Sequence, residues 1–87
     1  MSRPADVWIE VLGRAGLRYH RGPRQMFVDS EVLDGVTHSM CVWRSSIARW
    51  KPPHDAEPVT EADRDQIIED IRRFALATGT RDIEVVP

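Results

Sequence analysis

The chain has 87 residues, of which 41% are apolar and three are tryptophan, with a net charge of −2. That content argues for a packed core rather than disorder, and the length predicts a single small domain spanning residues 1–87. The near-neutral balance excludes neither acidic nor basic partners. Cys41 stands alone, so no internal disulfide is expected. No apolar run is long enough for a membrane span and the Met1–Asp6 stretch is polar, so the expectation is a cytoplasmic protein without a membrane partner.

In chain order, Val7–Leu12 is rich in strand formers, with Val7, Ile9 and Val11 on one face. The run Gly13-Arg14-Ala15-Gly16 reads as a turn. Leu17–Arg21 alternates apolar and polar, as a half-buried strand does. Gly22-Pro23 is a turn signal, and Arg24–Asp29 forms the next strand. Connections this short suit hairpins and exclude parallel crossovers, so these strands form an antiparallel meander. Asp34-Gly35 marks another turn, and His38–Trp43 is a fourth strand. Arg44–Trp50 reads either as a short helical turn capped by Ser45 or as a continued edge strand. Lys51–Val59 contains three prolines and is a loop.

Residues 60–78 form the one strongly periodic segment. Ile67, Ile68, Ile71, Phe74 and Ala75 fall on one helical stripe. Thr60 is a good N-cap, Asp63 stands where a capping-box acid would, and Gly79 suits the left-handed residue that ends a helix. Glu69 has Arg73 at the favourable four-residue spacing, and Arg72 and Arg73 approach the negative end of the helix dipole. A one-stripe helix must bury its stripe, and the other elements are mainly strands. Asp82–Val86 is a final strand joining the sheet. The expected class is α+β: a meander of about four strands plus a C-terminal strand, packed against one long helix.

Charge is unevenly spread. Residues 54–70 hold seven carboxylates against Arg64 alone, a balance of −6, whereas residues 1–51 sum to +3. An acidic loop and helix start can steer a basic partner. A solvated helix face with dipole-favoured acids explains the same residues. Trp50 opens the proline loop. Left partly exposed, it would be an aromatic anchor beside Asp55, Glu57, Glu61 and Asp65. Packed over the end of the sheet, it would pin the loop instead.

Catalytic signatures are weak. His38 and Cys41 have a ligand-like gap, but positions three apart on a strand face opposite sides, so no metal site or cofactor is expected. Ser45-Ser46 lacks the glycines of a nucleophile elbow, and Cys41 sits in an apolar strand where inert thiols are usual. Gly13-x-x-Gly16 has the spacing of a nucleic-acid-clamping loop but lies between strands. Arg-rich strands bearing Trp8, Tyr19 and Phe27 could form a stacking platform, although a structural meander accounts for them without a ligand. The reading is a non-enzymatic chain that does not bind nucleic acid directly.

Phe27 to Ile71 carries a further pattern: Asp29-Ser30-Glu31 after a strand, Ser46-Ile47, Trp50 with Pro53 beyond, Thr60, then Ile67-Ile68 and Ile71. In this order the chain resembles immunity proteins of bacterial polymorphic toxin systems, in particular the Immunity protein 74 family. The resemblance implies a protein that neutralises a cognate toxin domain by binding it. Such a toxin is often a nuclease with a basic groove that the acidic segment would suit. No catalytic residues are carried over. The alternative is a structural or regulatory domain acting as a homodimer through exposed strand edges; the immunity reading fits a monomer.

Overall fold

The computed structural model describes residues 6–13, 15–33, 39–79 and 82–87. Its elements are β1 (Val7–Val11), β2 (Ala15–Arg21), β3 (Arg24–Leu33), β4 (Ser39–Trp43), α1 (Glu61–Ala77) and β5 (Ile83–Val86). The five strands form one sheet in sequence order. β1 to β4 are antiparallel, and β5 runs parallel to β4. That last pairing needs a crossover, and α1 provides it. The class is α+β, as the periodicities predict. The Asp34-Gly35 turn and His38 lie outside the described residues.

Register explains the two faces. Ile9 pairs with Tyr19, which pairs with Met26, and Leu17 pairs with Val28. Successive strand residues point to opposite faces, so these share a face. α1 buries Ile67, Ile68, Ile71 and Ala75 among Leu17, Tyr19, Met26, Val28, Met40, Val42 and Ile83. Phe74, on the same stripe, is only half-buried at the β1 side. The helix begins as predicted. Thr60 Oγ1 accepts the Asp63 N–H while Asp63 accepts the Thr60 N–H, a complete capping box. Gly79 takes a φ of +97° just beyond its end. Glu69 does meet Arg73, at 3.8 Å, but Arg72 and Arg73 stop short of the last turn.

Gly16 departs from the expected four-residue turn. β2 starts at Ala15, and the register shifts between Ala15 and Leu17, so Gly16 sits in a bulge. Its φ is +103°, and a Cβ there would stand 2.5 Å from Phe27 Cε1. Its N–H donates to Ser30 Oγ at 3.2 Å, which occupies the one buried polar side chain that is not aromatic among the described residues. No helix among the described residues is long and apolar enough to cross a membrane.

Candidate partner-binding surface

β4 covers only the second half of β3. Along the first half, the chain after β4 takes its place as a strap. A short 3₁₀ turn occupies Arg44–Ser46. Ser45 does not cap it. Ser46 closes it instead, donating its hydroxyl to the Trp43 carbonyl at 2.6 Å and accepting the Asp29 N–H at 2.8 Å. Ile47 is buried and its carbonyl accepts Arg64 Nε at 2.9 Å. The Lys51 N–H then donates to the Gln25 carbonyl at 2.7 Å. The strap thus satisfies β3 at both ends of its uncovered edge.

Trp50 belongs to this strap, and the structure rejects its exposed alternative. It is 3% exposed. Its ring lies tilted against Tyr19 with centroids 6.3 Å apart, and the Arg21 guanidinium sits 5.4 Å over it. The physical reason is that Ile47 and Trp50 follow the strap into the space between sheet and α1, where apolar area is removed from water. Trp50 therefore pins the loop from inside. Tyr19 is buried too, so Trp8, Tyr19 and Phe27 do not share one exposed stacking face, and the meander reading holds for Tyr19.

Arg21 ties three elements together. It donates to Tyr19 Oη at 3.2 Å and to Asp63 of α1 at 3.5 Å. Tyr19 Oη donates to Asp70 at 2.6 Å. Burial first, and then the Asp70 carboxylate, push the Tyr19 phenol well above its ordinary value. The Thr60 backbone N–H, helped by the Thr60 hydroxyl and Arg21, holds the Asp63 carboxyl below the usual range. The Arg24 guanidinium does the same for Glu57, at 2.6 Å.

These shifts give a pH prediction. A depressed carboxyl contributes stability that is present above its unfolded pKa, near 4, and is lost as pH falls through the folded value. A raised phenol contributes stability present below pH 10 and lost as pH rises above it. The melting temperature therefore falls on both sides of this range. Asp63→Asn lowers it at neutral pH and flattens the acid limb. Parallel acid limbs for the two proteins would show that Asp63 is not a linked group.

The acidic segment is partly compensated within the chain. Glu61 bonds Arg44 and lies 3.5 Å from Arg64, and Asp65 lies 3.0 Å from Arg44. Glu57 holds Arg24, and Asp55 is exposed on the loop. The basic excess of the first half and the acidic excess of residues 54–70 thus meet in space.

The sheet face turned away from α1 carries a second set of residues. Trp8 is 54% exposed and stacks on His20, centroids 3.7 Å apart and planes within 3°. Glu10 meets both Arg18 at 3.3 Å and His20 at 3.4 Å. Phe27, across from Arg18, is 55% exposed. Residues 9–84 match the family described as Immunity protein 74. The chain belongs to the Immunity protein 74 family. No match was found among curated proteins or among solved structures.

The residues by which the sequence resembles Immunity protein 74 are chiefly those that build the strap and core. Asp29 and Ser46 form the β3–strap bond, Ile47 and Trp50 are interior, Thr60 caps α1, and Ile67, Ile68 and Ile71 form its buried stripe. They are framework. Surface residues such as Trp8 and Phe27 lie outside that framework, and only their aromatic character on strands hinted at an exposed role. Cys41 is buried. Burial, with Glu84 and Glu31 near, pushes its thiol up and away from the reactive thiolate.

Proposed function

We propose that this chain is a non-enzymatic immunity protein that binds a cognate toxin domain and neutralises it by protein–protein contact. The observation that carries this reading is the Immunity protein 74 match across residues 9–84. The side-chain chemistry agrees with it. Most carboxylates of the acidic segment are engaged with arginines inside the chain, and burial pushes the Cys41 thiol away from the reactive thiolate. Exposed Trp8 and Phe27 are of the aromatic type that anchors partner surfaces. In this reading Asp55, Glu57, Glu61 and Asp65 form the rim of contact toward a toxin such as a nuclease with a basic groove. Rim charges act on association rate more than on final affinity. Glu57, Glu61 and Asp65 also hold arginines, so Asp55 is the clean probe.

The test mixes the purified chain with the toxin domain that a pull-down from its native cells recovers. The expected result is a stoichiometric complex in which toxin activity is abolished, with Asp55→Lys slowing association about threefold to tenfold at low salt and little at high salt. A toxin that stays fully active in excess of this chain sinks the reading.

A further inference from the structure

Between β3 and the strap lies a cleft of about 400 Å³. Exposed Phe27, Ala48 and Pro52 supply its accessible apolar lining over the buried Met26 and Trp50, and Arg18, Arg49 and Lys51 supply three cations. Among the described residues no carboxylate lines it. Arg49 and Lys51 are exposed and form no ion pair among the described residues. Arg18 is held from one side by Glu10. The strand edge adds polar groups. Gln25 offers its carbonyl and Asp29 its N–H to the strap, so Phe27, between them, turns its own N–H and C=O the same way. The cleft therefore pairs an apolar floor with a positive rim and a backbone donor, in a chain whose net charge is negative.

We infer that this cleft receives a short acidic segment of the protein partner, one or two carboxylates beside an apolar side chain; this rests on the toxin-binding reading above. The apolar atom or ring seats against Phe27, and the carboxylates meet Arg18, Arg49 and Lys51. Arginine is suited to this because its planar fork matches a carboxylate in two-point contact. Charge placement selects a protein segment over a nucleic acid. A phosphate backbone needs a continuous cationic track. Here the same face carries Glu10 and Glu31, and the strap runs on to Asp55 and Glu57. A polyanion leaving the cleft at either end meets like charge, whereas a short acidic segment ends before it does. The partner thus offers acids to the cleft and bases to the rim around Asp55, a two-signed pattern that fixes orientation.

The experiment uses the same toxin domain, catalytically inactivated and immobilised, with the intact chain as analyte. Arg49→Glu/Lys51→Glu is expected to weaken Kd by about thirtyfold to a thousandfold, mostly through faster dissociation. Its melting temperature should stay near wild type, because both side chains are exposed. Replacing a toxin carboxylate with Arg should recover binding to this variant and not to wild type. Wild-type binding with the double variant within about threefold of it overturns the cleft assignment and leaves the immunity reading standing. Failure of wild type to bind removes the immunity reading itself. Binding of a single-stranded oligonucleotide that is lost in the same variant overturns the protein-segment assignment in favour of nucleic acid.

Discussion

Replacing Ile71 with Asp abolishes the cooperative thermal transition of this protein. Ile71 is 0% exposed and sits mid-way along α1, facing the Tyr19, Met26 and Val28 rows of the sheet. Two costs add. Losing the buried aliphatic side chain costs about 2–5 kcal/mol. The carboxylate that replaces it is set among the apolar side chains of the core cluster, and an unpaired buried charge costs several more kcal/mol or forces its own protonation. A chain of this length has a total stability of about 4–13 kcal/mol. The sum reaches or exceeds it. Ile71→Val, which trims one methylene, costs only about 0.5–1.5 kcal/mol and keeps a sharp melt. Circular dichroism on the two variants checks both statements. A cooperative melt near wild type for Ile71→Asp would mean that α1 does not bury this stripe.

Trp50→Ala is expected to cost about 3–5 kcal/mol, the range for truncating a buried tryptophan. It also removes the aromatic face beneath Arg21, a partly buried cation–π contact worth about 0.5–2 kcal/mol. The loss is local before it is global. Without Trp50 the strap keeps Ser46 and Ile47 but loses the anchor beside the Lys51–Gln25 bond. Hydrogen exchange at the Lys51 amide should therefore accelerate more than at amides of α1, while the denaturant midpoint falls. Trp50→Phe keeps part of the ring contact and should fall between. A Trp50→Ala unfolding free energy within about 1 kcal/mol of wild type would place Trp50 at the surface and restore it as a partner anchor.

The cleft links these stability arguments to binding. Its floor includes Trp50, so Trp50→Ala should disturb partner capture as well as stability, whereas the Arg49→Glu/Lys51→Glu variant touches capture alone.

What the sequence determined by itself is what short-range geometry governs. The helix from Thr60, its capping box and the left-handed Gly79 follow from 3.6-residue periodicity and from groups within three residues of each other. The Leu17–Arg21 and Arg24–Asp29 strands follow from alternation and from the Gly22-Pro23 turn that separates them. The Immunity protein 74 resemblance was legible for a related reason: it rests on core, strap and helix-cap residues held in a fixed order along the chain.

The tertiary structure alone decided what depends on which face is covered. Periodicity marks Trp50 and Phe27 both as aromatic. One is buried because α1 and the strap close over it, and the other is exposed because among the described residues no element covers the opposite face of β3. The bulge at Gly16 needed the β2–β3 register, and the parallel β4–β5 pair needed the crossover through α1. The acidic run of residues 54–70 reads in sequence as a field of −6. Folding brings Arg21, Arg24 and Arg44 against it, and leaves the cations of the β3 cleft facing outward. Charge in sequence adds along the chain, but the potential a partner meets falls with distance in space, and only the fold sets those distances.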